Sequence, residues 1–322
     1  MSEPTERRRT GRIKRDELLR DVQEGLAKQQ KELSSKYFYD ERGSELFEEI
    51  TRLPEYYPTE AERELLHECA PALVSDLQLC TLVELGAGSA SKTRVILDAM
   101  RDSGLGKAYI PVDVSGDFLE GVAEQLRIEY PTLQIVPAVA DITHDFVLPP
   151  RNAPTVIAFL GSTIGNFGRE DTIDLLSRCA QLLEPDDRFL LGCDLRKAVE
   201  TLEAAYNDSQ GITAEFNLNI LHVINTELGA NFDVSRFRHR AFYNADSHRI
   251  EMHLIAAEPQ TVTIPGIGDV HFLEGESIHT EVSYKYNREA IETLFVPSGL
   301  VLEQWMTGRR NMFALAVGRK KV

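Results

Sequence analysis

The segment Thr280-Glu281-Val282-Ser283-Tyr284-Lys285-Tyr286 sets an acid and a hydroxyl two positions apart, the spacing that puts both on one face of a strand. So fixed, Glu281 and Ser283 could grip a small ring that carries one N–H and one acceptor nitrogen. Polar alternation on a half-exposed strand gives the same pattern. A second candidate is Gly161-Ser162-Thr163-Ile164-Gly165-Asn166-Phe167, a polar loop behind an apolar run. Asn166 can show its carbonyl oxygen to an amine and its amide to a carboxylate, although Gly-Asn is also ordinary turn chemistry. Near the start, Tyr37, Phe38, Tyr39, Phe47, Tyr56 and Tyr57 crowd rings into a polar region. Phe47, on the apolar face of a helix, reads as core. The pair Tyr56-Tyr57, flanked by Pro54 and Pro58, is harder to bury whole, because each hydroxyl needs a partner. Such rings can line a small polar ligand or stabilise a cation through their faces.

Leu82 to Thr93 reads Leu-Val-Glu-Leu-Gly-Ala-Gly-Ser-Ala-Ser-Lys-Thr, an apolar run that breaks into Gly-x-Gly before a helix. Gly86 and Gly88 let the backbone turn sharply and approach a ligand, and the helix aims free amides at the same place. The turn alone is a weak signal, since strand-to-helix turns use glycine with or without a ligand. Asp113 ends the next strand, where a carboxylate can take both hydroxyls of a ribose. Asp141 follows the third strand and can accept from an adenine amino group; either acid could equally be a solvated strand end or cap. Ser91 stands where the dinucleotide fingerprint has its third glycine, which weakens a pyrophosphate reading. Glu84 is a further acid beside the turn, and Lys92 is either solvated or poised to pair with a ligand carboxylate.

An alternating α/β sheet would position these groups. Strands are expected at Leu79–Leu85, Ala108–Val114, Leu133–Val139, Thr155–Gly161 and Arg188–Cys193, with helices between them, one of them capped by Ser115. Ahead of them, helices fit Arg15–Gln30 and Ser44–Arg52, and Thr59 with Glu62 reads as a capping box opening a third. Leu300–Met306 and Met312–Val317 form a terminal hairpin around Thr-Gly-Arg-Arg-Asn. Arg196–Tyr286 is too long for one crossover and reads as helical to about Leu228, then β-rich at Arg236–Tyr243, Arg249–Ala256 and Ser277–Tyr286. Met252 alternates there with Ile250 and Leu254, as core residues do.

The 322 residues suggest a main domain plus a companion, and 43% hydrophobic with 27% charged residues is a soluble globular balance. A net charge of −16 argues against a nucleic-acid binder. The local basic cluster Arg7, Arg8, Arg9, Arg12, Lys14 and Arg15 reads as a solvated, disordered end. Cys69, Cys80, Cys179 and Cys193 are isolated, and neither a secretory segment nor a membrane-spanning run is evident, so a reducing cytoplasm is expected. His248 and His253 show no obvious carboxylate partner, so no metal is expected.

Taken together, Tyr37-Phe38-Tyr39-Asp40, Thr51-Arg52-Leu53-Pro54-Glu55-Tyr56-Tyr57-Pro58-Thr59, Leu82-Val83-Glu84-Leu85-Gly86, Phe159-Leu160-Gly161-Ser162-Thr163-Ile164-Gly165-Asn166 and Glu281-Val282-Ser283 closely resemble the histidine Nα-methyltransferases of ergothioneine biosynthesis. The resemblance runs from about residue 35 to the end. It implies a Rossmann-like class I methyltransferase sheet (60–195 and 287–322), for which a terminal antiparallel hairpin is usual. An α+β substrate domain (15–59 and 196–286) and a tail (1–14) complete the chain. It further implies S-adenosylmethionine as co-substrate, L-histidine as substrate, hercynine as product, and a monomer without metal, nucleic acid or membrane.

Carried over by position, Gly86, Ala87, Lys92, Asp113, Asp141, Ile142 and Thr163 would contact S-adenosylmethionine. Tyr56 and Tyr206 would hold the substrate carboxylate, Asn166 the α-amino group, and Glu281 with Ser283 the imidazole nitrogens. Tyr39 and Phe47 would border the amine, Gly161 would face the substrate, and Met252 would wall the ring pocket. Tyr39 and Asn166 are the implied catalytic pair. Ile142 departs from the aromatic residue common in the family after the adenine-binding Asp. Three other readings remain: an Nα-methyltransferase for another aromatic amino acid, a nicotinamide-dependent oxidoreductase, or a binder of S-adenosylmethionine without catalysis.

Overall fold

The computed structural model describes residues 15–321; the expected basic tail lies outside them. The chain opens with α1 (Arg15–Leu26), the short strand β1 (Lys31–Glu32), α2 (Glu41–Ile50) and α3 (Tyr57–Asp76). Next come β2 (Thr81–Leu85), α4 (Arg94–Ser103), β3 (Ala108–Asp113), α5 (Gly116–Glu129), β4 (Gln134–Ile135) and β5 (Ala138–Val139). β6 (Thr155–Phe159), α6 (Arg169–Leu182), β7 (Arg188–Asp194), α7 (Val199–Ala204) and α8 (Ile212–Leu228) follow. The strands β8 (Phe237–Asn244), β9 (Arg249–Ala256), β10 (Gln260–Ile264), β11 (Gly268–Phe272) and β12 (Ser277–Tyr284) lead to α9 (Arg288–Phe295), β13 (Leu300–Thr307) and β14 (Phe313–Lys320).

The larger sheet has the order β13-β14-β7-β6-β2-β3-β4, with β5 also on β3. Its strands are parallel except for the closing hairpin, β14 being antiparallel to both β7 and β13. The strand order reverses at β2, between β3 and β6, and there a doubly wound sheet opens a crevice at its carboxyl ends. The smaller sheet runs β1-β12-β9-β8, with β10 and β11 as a separate hairpin.

Both faces of the larger sheet are buried, Leu82 and Tyr109 on one and Val83, Ile110 and Ile157 on the other, as strict alternation requires. A third core sets α1, α2 and α8 against the smaller sheet through Leu18, Val22, Leu46, Ile50, Ile220, Ile250 and Ile278. Each such aliphatic side chain contributes about 1.5–3 kcal/mol by leaving water.

Several expectations change. The third strand is two fragments, because Pro137 between them has no N–H to donate. α1 ends at Leu26, short of Gln30. α2 begins earlier than Ser44, since the Asp40 carboxylate caps it through the Gly43 amide at 2.8 Å. The capping box at Thr59 does not form: α3 starts at Tyr57 with Pro58 in its first turn, and Glu62 turns inward instead. Ser115 precedes α5 without a side-chain cap bond. The β10–β11 hairpin had no counterpart in the sequence reading.

Candidate active site

Register places the first functional pair. In the β12–β9 ladder His279 faces His253, yet Glu281 faces Met252, so β12 carries a bulge at Thr280. The extra residue re-aims Glu281 from the face of His279 to the face of Met252 and Ile250, which belongs to the third core. Thr280 pins the bulge by donating to Asn217 Oδ1 at 2.7 Å. Ser283 follows on the same face as Glu281, as their spacing requires.

The loop after β6 meets this face. Ser162 adopts a left-handed conformation and a 3-10 turn spans Thr163–Asn166. Gly165 lies so close to β12 that a Cβ there would stand 2.9 Å from the Tyr284 carbonyl oxygen. This approach brings Asn166 Nδ2 within 3.1 Å of Glu281 Oε1. Two residues expected at opposite ends of a substrate are thus in direct contact. Burial pushes the Glu281 carboxyl up to about 7, against the opposing pull of Lys285.

Aromatic rings form the adjoining wall. Tyr39 and Phe47 lie 5.6 Å apart between centroids, Phe47 and Tyr56 6.4 Å, and Tyr56 and Tyr206 6.1 Å. Phe216 of α8, absent from the sequence reading, backs Tyr39 at 5.6 Å. Tyr39 keeps 46% of its surface open, at the rim, whereas Tyr206 is buried. Burial first, and then the charge of Glu281, hold the Tyr206 hydroxyl far above the ordinary tyrosine range, so it stays protonated.

At the end of the wall, Tyr206 donates to Ser283 Oγ at 2.8 Å, and Lys285 reaches both hydroxyls. Lys285 continues the alternation of Glu281 and Ser283 by one more step, a signal that could have singled it out. It pairs with Asp194, the last residue of β7, at 2.8 Å, and this ion pair ties the two sheets together. Lys197 also bonds Asp194, and Tyr57 donates to it at 2.6 Å. Burial would raise the Asp194 carboxyl, but the two lysines overcome it and hold the group below the usual range. Burial lowers Lys197 to about 8.

The glycine turn lies at the switch point. Gly86 and Gly88 both have positive φ, and Ala87 is buried between them. The Gly88 and Ser115 amides donate to the two oxygens of Asp113 at 3.1 Å each, which leaves lone pairs for a ribose diol. β5 pairs with the end of β3, so Asp141 lies beside Asp113 at the same edge. Asp141 is exposed; against the cost of partial burial, Thr143 and His144 hold its carboxyl below the usual range. Ile142 is half-buried against the core under that edge. These features suit a nucleoside, whose ribose hydroxyls and base amino group can both donate to carboxylates.

Lys92 is not solvated. It bonds Glu62, a fully buried acid whose oxygens also accept the Gly161 amide at 2.8 and 3.0 Å. Gly161 packs beside Thr163 and Lys92, with a Cβ position 3.2 and 3.3 Å from their polar ends. Glu84 is equally committed, accepting from Thr93 at 2.6 Å and from Tyr109; burial pushes it up to about 7.

His253 does have a carboxylate neighbour, Glu251, at 3.2 Å. With His279 these groups lie within 4.8 Å of one another. The two imidazoles are stacked, so their in-plane lone pairs run side by side, and Arg249 holds the carboxylate at 2.6 Å. A separate groove is lined by Phe167, Arg169, Arg196 and His248 and meets the residues gathered above at Tyr284 and Lys285.

A protein-family model described as histidine-specific methyltransferase, SAM-dependent, matches residues 18–320. The chain belongs to this family. It is 41% identical to the histidine N-alpha-methyltransferase of Mycolicibacterium smegmatis over 301 residues, covering 93% of this chain and 94% of that one. It is also 41% identical to the Mycobacterium tuberculosis protein of the same name, over 94% and 95% of the two chains. Ergothioneine biosynthesis protein 1 of Neurospora crassa is 30% identical over 86% of this chain and 32% of its own length. Among solved structures, mitomycin 7-O-methyltransferase MmcR shares the fold at a TM-score of 0.51, with 15% identity over 96% of this chain and 69% of its own. Family membership makes this protein an S-adenosylmethionine-dependent methyltransferase. No helix among the described residues is long and apolar enough to cross a membrane.

Proposed function

We propose that this methyltransferase trimethylates the α-amino nitrogen of L-histidine to give hercynine. The carrying observation is the placement of Glu281 beside Ser283, in contact with Asn166 and next to the ring wall of Tyr39, Phe47 and Tyr56. Glu281 accepts from one imidazole nitrogen and Ser283 serves the other, with Met252 opposite Glu281 as an apolar wall. Asn166 and Tyr39 orient the amine, Gly161 faces it, and Tyr56 holds the carboxylate, while Tyr206, expected beside it, gives its hydrogen to Ser283 at 2.8 Å. Asp113 takes the ribose, Asp141 and Ile142 the adenine, and Gly86, Ala87, Thr163 and the Lys92–Glu62 pair the remainder of the co-substrate.

The co-substrate supplies an electrophilic methyl on sulfur. Each of three transfers forms an N–C bond, breaks an S–C bond and releases one proton from nitrogen, so the residues' task is to align an unprotonated amine. Tyr56 holds its own proton, chiefly through burial, so water carries the amine proton away. As methyl groups replace N–H donors, the faces of Tyr39, Phe47 and Tyr56 stabilise the growing quaternary cation. Incubating the protein with histidine and S-adenosylmethionine tests this reading: mass spectrometry should show mono-, di- and trimethylhistidine in succession. Methylation of another amino acid in preference to histidine would refute it.

A further inference from the structure

Lys285 and Asp194 are both buried, and nothing in the reaction as described uses them. A lysine held this deep has to be fully bonded. It is: its three hydrogens meet Asp194 Oδ2 at 2.8 Å, Ser283 Oγ at 2.9 Å and Tyr206 Oη at 3.1 Å. Lys197 and Tyr57 fix Asp194 from its other sides.

The hydroxyl pair can then be counted. Tyr206 and Ser283 together own two hydrogens and four lone pairs. Lys285 occupies one lone pair on each oxygen. The Tyr206-to-Ser283 bond uses the Tyr206 hydrogen and the second lone pair of Ser283. Ser283 is left with its hydrogen alone. We infer that Lys285, anchored by Asp194, is a positioning residue that, together with the bond from Tyr206, sets Ser283 as a hydrogen-bond donor to the substrate ring. With Glu281 as acceptor beside it, the site selects a heteroaromatic ring that pairs an N–H with an unprotonated nitrogen. Without Lys285 each oxygen regains a lone pair, Ser283 can give its hydrogen to Tyr206 instead, and the ring nitrogen loses its donor. This inference rests on the histidine reading and explains its selectivity.

The test compares L-histidine, the two isomeric thiazolylalanines and 3-(2-thienyl)alanine. Thiazole keeps an acceptor nitrogen but has no N–H, and thiophene has neither, so their ratio reads Ser283 independently of Glu281. The wild type should favour the better thiazolyl isomer by about tenfold in kcat/KM, the size of one hydrogen bond. Lys285→Met should bring that ratio within about twofold, mainly through KM, and Lys285→Arg should restore part of it. Calorimetric binding of S-adenosylhomocysteine should stay unchanged, which reports an intact fold. Ser283→Ala, which leaves the Lys285–Asp194 pair in place, should also abolish the ratio. A ratio that survives in either Lys285→Met or Ser283→Ala, with histidine still methylated by the wild type, overturns the inference and leaves the reading standing. A wild type that leaves histidine unmethylated overturns both.

Discussion

Replacing Glu281 by Gln changes charge and almost nothing else. The side-chain oxygen that accepts from Asn166 at 3.1 Å is retained, and so is the volume opposite Met252. What disappears is an ionised acceptor for an imidazole N–H. Hydrogen bonds to charged groups contribute about 1.5–3 kcal/mol, so kcat/KM for histidine should fall about 10- to 150-fold at pH 8. The structure adds a pH signature. The Glu281 carboxyl, raised to about 7 by burial, is about one-tenth ionised at pH 6 and nine-tenths at pH 8. The advantage of wild type over variant should therefore shrink by about an order of magnitude on going from pH 8 to pH 6. Histidine's own amine and imidazole titrate across the same range, but identically for both enzymes, so they cancel in the ratio. Initial rates of S-adenosylhomocysteine release at subsaturating histidine supply the measurement. A wild-type to Glu281→Gln ratio that is large but flat between pH 6 and 8 would refute a titrating Glu281 as the ring ligand. A ratio near one would remove Glu281 from the site.

Glu84 offers a stability test: its folded pKa, raised to about 7 by burial, exceeds the ordinary 4.5, so its own contribution to stability is full below pH 4.5 and is lost as pH rises through 7. The loss is about 3 kcal/mol at most, and urea denaturation at pH 5 and pH 8 should show a smaller drop for Glu84→Gln than for wild type. Gly165→Ala forces a methyl within 2.9 Å of the Tyr284 carbonyl oxygen. Denaturation should register about 1–3 kcal/mol of overpacking, and KM for histidine should rise as Asn166 is lifted from Glu281 while S-adenosylhomocysteine still binds. Glu62→Ala leaves the Gly161 amide without its acceptor and frees Lys92. It should cost about 1–3 kcal/mol in stability and weaken S-adenosylhomocysteine binding by calorimetry; unchanged affinity would separate this bridge from the co-substrate site.

Local patterns carried most of the frame. Strands spaced by helices, the positive-φ glycine turn and the closing hairpin are set by neighbours a few residues apart, and each formed near where its spacing put it. The third strand failed locally, because Pro137 interrupts the ladder. Glu62 was misread for a different reason: its position relative to Thr59 fits a cap, and only packing shows that the Gly161 amide claims it.

The sequence by itself determined which residue types could do the chemistry, and that Glu281 and Ser283 share a face, since a strand alternates with a period of two. Which face they share was a tertiary decision. The bulge at Thr280 turns Glu281 away from His279 and towards Met252, and a single inserted residue leaves no mark in an alternating pattern. The same holds for Asn166 on Glu281 and for Lys285 on Asp194, partners separated by 115 and by 91 positions. Such pairs exist only when two sheets and a loop close on one another, because the free energy that brings them together comes from the cores beneath, not from the pairs themselves.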